Sequence, residues 1–233
     1  MTLVPQSQAE QEIRTALVAH LRRVLPGARI IHELDTYSGC RADVAAVCPE
    51  MICLFEIKSE RDTIDRLAHQ MRVFHRHSHF ACAVLHWKWF DHQPYQHGEA
   101  RMVAPDDVGS CAAWAYPQPD PGHSITSDWY RWGAPWLRIG QPPLAYHRQI
   151  NIPHARDLIG LLHDAEVKLE ARHAGVDLAA ARYAHERKDL ACLHMTGRQV
   201  SEAVCRRLRA RPFADADPPV VDSPSRLTPP DTA

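Results

Sequence analysis

Three charged residues, Asp43, Glu56 and Lys58, have the types and the spacing of a site that binds a divalent cation. They lie in two strand-like runs, RADVAAV at 41–47 and MICLFEIK at 51–58. An antiparallel hairpin centred on the short break between the runs would pair residues whose numbers sum to 99. Asp43 would then face Glu56, with Cβ atoms about 5 Å apart. Lys58 would share their face of the sheet because strand side chains alternate.

Two carboxylates this close repel each other unless a cation lies between them. Their oxygens suit Mg²⁺ or Mn²⁺, and the carbonyl of Ile57 is a further candidate ligand. A metal held there polarises a phosphoryl oxygen and activates a water, while Lys58 orients that water or offsets charge on the phosphate. The residues therefore predict phosphodiester hydrolysis. The competing interpretation is an exposed salt bridge, such as Glu56 with Lys58 or with Arg41.

The residues around the hairpin predict the elements that position it. Ser7 to Glu10 reads S-x-x-E, a capping pattern that opens a first helix, and Glu10 is interpreted as a cap and not as a ligand. Ser59 to Asp62 repeats the pattern and opens a second helix. Further strands are predicted at 29–34, 80–85 and 101–104. The order of helix, three strands, helix and strand predicts an α/β fold, with a mixed β-sheet flanked by helices.

We place the core at residues 8–114. The sequence after it predicts three further segments. Residues 115–153 hold seven prolines and no sustained periodicity, which is typical of a linker or a covering segment. Residues 154–211 predict a small helical module, with one helix from 154 to about 173 and a last helix behind a T-x-x-Q cap. Residues 212–233 are rich in proline and poor in large apolar side chains, which predicts a disordered tail.

Four short motifs carry a resemblance to a known family. They are EIR at 12–14, RAD at 41–43, EIKS at 56–59 and RLAHQ at 66–70. With these motifs the chain resembles the PD-(D/E)XK nuclease superfamily, and most of all a small branch found in bacterial genomes and prophages. The resemblance covers the N-terminal core. It implies a restriction-endonuclease-like fold and cleavage of DNA or RNA, with Mg²⁺ or Mn²⁺ as the cofactor.

The resemblance also implies roles for further residues. Gln70 would lie beside the metal site, and a fourth carboxylate would complete the ligands. That carboxylate is either Glu12 in the first helix or Glu33 at the end of the first strand. Contacts with nucleic acid are predicted for residues beside the motifs and in the last helix: Arg41, Ser59, Arg66, Arg206 and Arg207.

Composition limits the partners and the compartment. Lys and Arg number 27 against 28 Asp and Glu, so no overall positive charge attracts nucleic acid, although an enzyme needs only a local basic patch. Seven cysteines without metal-ligand spacing, and the lack of a long apolar run, predict a cytoplasmic protein with no membrane partner.

The expected partner is nucleic acid, DNA before RNA, with a homodimer left open. Two alternatives remain: a catalytically inactive nucleic-acid-binding or regulatory protein that keeps the nuclease fold, and a protein-interaction module that uses the Trp-rich segment at 129–136.

Overall fold

A computed structural model of the protein describes residues 7–94, 100–117 and 151–220. In chain order the strands are β1 (Arg29–Asp35), β2 (Arg41–Val47), β3 (Ile52–Lys58), β4 (Phe80–His86), β5 (Asp91–Pro94), β6 (Ala100–Val103) and β7 (Ala112–Tyr116). The helices are α1 (Gln8–Val24), α2 (Leu67–His77), α3 (Ala155–Ile159), α4 (Asp164–His173), α5 (Ala184–His194) and α6 (Gly197–Ala210). Within these ranges, no helix combines the length and the apolar character that crossing a membrane requires.

Five strands form one mixed sheet in the order β1-β2-β3-β4-β7, and β5 and β6 pair separately. The pairs β1–β2 and β2–β3 are antiparallel, whereas β3–β4 and β4–β7 are parallel. The parallel step from β3 to β4 needs a crossover, which α2 provides. The α/β class with a mixed sheet between helices, predicted from the sequence, is confirmed.

The register of the β2–β3 hairpin is the one that the sequence predicts. Val44 pairs with Phe55 and Val47 pairs with Ile52, so that paired numbers sum to 99. The short break between the strands therefore forms a tight connection, closed by a hydrogen bond from the Cys48 N–H to the Met51 carbonyl. Asp43 and Glu56 lie directly beyond the last pair of this register, Val44 with Phe55.

Helices cover both faces of the sheet. On one face, α1 buries Ile13, Leu17 and Leu21 against strand residues such as Phe55. On the other face, α2 packs in a single cluster with apolar residues of α3, α4, α5 and α6. The C-terminal helices, which the sequence predicts as a separate module, thus share the core of the sheet.

Three local predictions need correction. The strand β7 extends across the predicted boundary at 114. The turn from Ser59 does not open α2, because the Asp62 carboxylate accepts hydrogen bonds from the Ser59 backbone and hydroxyl, and the helix begins at Leu67. The helix predicted at 154–173 is two helices separated near Gly160. Helix α5 was not predicted from the sequence, whereas the cap of α6 by Thr196 is confirmed.

The first residues of the predicted disordered tail are part of the fold. Ala216 forms an antiparallel bridge with Ile31 of β1, and the backbone of Asp217 donates to the Ile30 carbonyl. This segment satisfies backbone groups that an edge strand would otherwise expose. The Trp-rich segment, the rest of the linker at 118–150 and the tail at 221–233 lie outside the described residues.

Candidate metal centre

Asp43 lies where the regular alternation of β2 is interrupted. Ala42 packs in the cluster on the α2 side of the sheet, whereas Val44 packs in the cluster on the α1 side. Residues i and i+2 of a regular strand share one face, so the chain must shift at Asp43. On β1, Glu33 lies between the partners of these two residues and has a positive φ of 56°. Regular alternation along β2, which would put Ala42 and Val44 on one face, therefore fails at this point.

The Asp43 carboxylate is held against β3. Its Oδ2 accepts a hydrogen bond of 2.7 Å from the backbone N–H of Ile57, one residue beyond Glu56. Burial, and next the charge of Glu56, raise the pKa of Asp43 well above its usual range. The charge of Glu56 therefore opposes the ionisation of Asp43.

Glu56 is the most enclosed carboxylate of the site, with 3% of its side chain exposed. Its Oε1 accepts hydrogen bonds from Lys58 Nζ at 2.8 Å and from Gln70 Nε2 at 2.5 Å. Among the described residues, its Oε2 has no hydrogen-bond partner, and neither has Oε1 of Gln70. Burial raises the pKa of Glu56 although Lys58 acts in the opposite direction.

A second group of acids adjoins Asp43. Carboxylate oxygens of Glu10, Glu33 and Asp43 lie within 4.8 Å of one another, a spacing that could hold a cation. Arg14, on the same helix as Glu10, reaches into this group. Its Nη2 lies 2.8 Å from Glu10, 2.9 Å from Glu33 and 3.6 Å from Asp43.

The structure separates the two candidates for the fourth carboxylate. Glu33 lies in the acid group with Asp43, and its other oxygen is 2.7 Å from Nε of Arg41. Glu12 is exposed on α1, and its carboxylate accepts a hydrogen bond from the Tyr116 hydroxyl. The structure therefore brings Glu33, and not Glu12, next to the Asp43 carboxylate.

The residues predicted to contact nucleic acid fall into two groups. Arg41 and Arg66 are exposed near the site, at the start of β2 and at the cap of α2. Ser59 is fully buried, so the predicted contact by its side chain needs correction. Arg206 and Arg207 both contact the buried carboxylate of Glu170, so their charges are used inside the helical part of the fold. This pairing explains the presence of both arginines without a phosphate, and their contact with nucleic acid stays a prediction.

Sequence reasoning missed two residues of the site, Glu10 and Arg14. Ser7 caps α1 by accepting from the Glu10 N–H, as predicted, but the Glu10 side chain turns to Arg14 instead of closing a capping box. The signal in the sequence was the i, i+4 spacing of these two residues, which places them on one side of the helix. The spacing alone does not distinguish an exposed pair from one that faces a sheet.

The donor set fits a hard divalent cation. It offers carboxylate oxygens of Asp43 and Glu56, and the free Oε2 of Glu56 is a buried acceptor of the kind that magnesium or manganese takes as a ligand. Lys58 lies beside the same carboxylate, so an amine and a bound ion would be neighbours. Such an arrangement can activate water and neutralise charge on a phosphate.

Comparison with known proteins adds a likeness for the N-terminal part. Residues 5–92 match the family model described as Bacteriophage P4 protein cII, a range that contains α1, the hairpin and α2. No curated protein and no solved structure matched the chain. The resemblance to PD-(D/E)XK nucleases stays a prediction from the motifs.

Proposed function

We propose that the protein is a metal-dependent nuclease that hydrolyses phosphodiester bonds, in DNA before RNA, at the site formed by Asp43, Glu56 and Lys58. The observation that carries the proposal is the buried Oε2 of Glu56, which has no hydrogen-bond partner among the described residues, together with the charge of Glu56 opposing the ionisation of Asp43. A buried carboxylate oxygen without a partner is costly, and a divalent ion would remove that cost.

Each residue has a distinct part in this proposal. Asp43 and Glu56 hold the ion, and the Ile57 N–H fixes the orientation of the Asp43 carboxylate. Gln70 and Lys58 both donate to Oε1 of Glu56, which leaves Oε2 for the metal. A bound Mg²⁺ or Mn²⁺ would polarise the phosphoryl oxygen and lower the pKa of a water. The Lys58 amine would then orient that water or offset charge on the phosphate.

The family likeness supports a phage-associated origin. The matched range, residues 5–92, contains every residue that we place at the metal site. We therefore include association with a phage or prophage in the proposal.

The test is cleavage by the purified full chain across a panel of duplex, single-stranded and branched DNA and RNA. We expect cleavage with Mg²⁺ or Mn²⁺ and none with EDTA. Asp43→Asn and Lys58→Met should each lower the rate by about 100-fold or more, the usual effect of losing one electrostatic contact to the transition state. Lys168→Met is the matched control, because its amine is half-exposed and pairs with Asp164 on α4. Cleavage that survives both site variants would reject the assignment.

One observation favours a second candidate, a protein that binds nucleic acid without cutting it. Arg14 already places a positive charge among three of the acids, Glu10, Glu33 and Asp43. Such a protein would bind nucleic acid equally well in EDTA and after Lys58→Met, and it would cleave no member of the panel.

A further inference from the structure

The side chain of Arg14 is enclosed on all sides, with 4% of it exposed. Its Nη2 donates to Glu10 and Glu33 and lies near Asp43. Its Nη1 donates to the backbone carbonyl of Asp43 and lies 3.5 Å from Nδ1 of His32. The guanidinium therefore bridges α1, β1 and β2 at one point.

The position of this guanidinium coincides with a potential cation site. The three acids around it have oxygens within 4.8 Å of one another, which is the spacing that ligands of a single ion show. Asp43 belongs to this group and, in the proposed function, also holds the ion together with Glu56, so the two cation positions would share one carboxylate. Enzymes that hold two ions use such bridging carboxylates with metals about 3.5–4 Å apart.

We propose that Arg14 permanently fills the position among Glu10, Glu33 and Asp43, so that the protein holds one divalent ion and not two. The inference rests on the proposed function, because that single ion is the one held by Asp43 and Glu56. Arg14 is a positioning residue here: it orients the shared Asp43 carboxylate and supplies a fixed positive charge where a second ion would otherwise bind.

Two features keep the guanidinium in place. Arginine presents several donors in a rigid plane and stays charged at every accessible pH, so it can satisfy three acceptors at once. An incoming ion would also have to displace the guanidinium of Arg14 from its carboxylate partners. That displacement would leave a buried positive charge without partners, which is strongly unfavourable. The second position is therefore closed at ordinary concentrations of Mg²⁺ or Mn²⁺.

The test counts bound Mn²⁺ by electron paramagnetic resonance and by isothermal titration, with the full chain and without nucleic acid. We expect one ion in the wild type, two in Arg14→Gln and none in Asp43→Asn. Glu10→Gln, which keeps Arg14 paired with Glu33, should still bind one ion. Because Glu10→Gln removes only one partner of the guanidinium, it remains informative if Arg14→Gln does not fold.

The outcomes separate this inference from the proposed function. Two ions in the wild type, falling to one in Glu10→Gln, would overturn the role of Arg14 and leave the nuclease proposal standing. No ion in the wild type would overturn both. One ion in both the wild type and a folded Arg14→Gln would show that the guanidinium does not exclude the second ion, and would also overturn the inference.

Discussion

Glu56 is held in surroundings that suit a bound ion better than the free carboxylate. Its side chain is 3% exposed, one oxygen has two donors, and the other has none among the described residues. Natural proteins accept such local cost where a site needs it, so residues of a site are often not the most stable choice. The raised pKa of Glu56 has the same origin, because burial penalises the charged form.

This cost gives a prediction for the metal-free protein. Glu56→Gln removes the buried charge and keeps an oxygen for Lys58 and Gln70, so we expect it to raise the free energy of unfolding by about 1 kcal/mol in EDTA. The same variant should lose the increase in melting temperature that Mg²⁺ gives the wild type. Urea unfolding with EDTA and with Mg²⁺ measures both effects.

The control for this prediction is Glu50→Gln, which changes an exposed carboxylate in the same hairpin. Its unfolding should match the wild type with and without the metal. A Glu56→Gln protein that Mg²⁺ stabilises as much as it stabilises the wild type would contradict the assignment of Glu56 as a ligand.

At the scale of residues, the sequence predicts those contacts that follow from the regular repeat of side chains along a strand or a helix. The register from Val44–Phe55 to Val47–Ile52 could be predicted, because a short even-numbered break determines which residues of a hairpin pair, although the pairing ends before Asp43 and Glu56. The meeting of Arg14 and Glu10 with Asp43 could not, because it depends on how α1 lies over the sheet and on the shift in alternation at Asp43. Glu33 has a positive φ, a conformation that is uncommon outside glycine, so the residue type does not indicate it.

At the scale of elements, α6 is joined to the start of the central strands by a buried histidine. Nδ1 of His79 accepts from the Ile52 N–H, so Nε2 must carry the proton that it donates to the Ser201 hydroxyl. Ser201 in turn donates to the Glu50 carbonyl. Burial lowers the pKa of His79 to about 4, because the charged ring loses the water that would solvate it.

This junction predicts that acid weakens the fold through His79. Above pH 6.5 the ring is neutral in both the folded and the unfolded chain, and it contributes no pH dependence. As the pH falls from 6.5 to about 4, only the unfolded chain takes up the proton, so the folded state loses about 2 kcal/mol by pH 5. Urea unfolding at pH 7 and pH 5 measures the loss.

The buried acids of the metal site titrate in the opposite sense, because a raised carboxyl pKa makes the metal-free fold more stable as the pH falls. The pH dependence of His79→Asn must therefore be subtracted from that of the wild type. His154→Asn, at the exposed cap of α3, is the matched control and should follow the wild type. Equal slopes for His79→Asn and the wild type would contradict a neutral buried ring.

The bounds of helices and strands could be predicted where the sequence holds a clear capping pattern or a regular alternation of side chains. They could not be predicted where contacts with distant parts of the chain determine them. Thr196 and Gln199 form the predicted box at the start of α6. Ser59 and Asp62 have the same pattern but close a turn, because the Ser59 carbonyl also accepts from Trp89 and ties the segment to the chain after β4. The strand β7 is short and rich in alanine, which gives no periodic signal, and its pairing with β4 defines it.

At the scale of the whole molecule, arginines fasten the C-terminal helices to the sheet. Arg29 of β1 is buried and donates to the carbonyls of Leu208, Arg209 and Arg211 at the end of α6. In the opposite direction, Arg209 of α6 donates hydrogen bonds to the carbonyls of Gly27 and Val47. These bonds satisfy carbonyls that a helix end leaves without partners, and they place α6 across the edge of the hairpin that carries the metal site.

The shared core predicts that the N-terminal part does not fold alone. Removing residues 154–233 would strip large buried side chains from the α2 side of the sheet: Leu158, Leu161, Leu162, Val200, Val204 and Leu208. Each such burial is worth about 1.5–3 kcal/mol. Together they reach the 5–15 kcal/mol that is typical of the stability of a whole domain. We therefore expect the shortened chain to lack cooperative unfolding and to bind a hydrophobic dye.

Thermal unfolding of the full chain gives the complementary measurement, because one core implies one transition by circular dichroism and by calorimetry. Two separate transitions, or a folded chain of residues 1–153 that still binds Mn²⁺, would show that the helices form a module of their own, as the sequence alone predicts. A single transition would instead couple the metal site to α6. An ion bound at Asp43 and Glu56 would then raise the unfolding temperature of the C-terminal helices, although none of their residues is among its ligands.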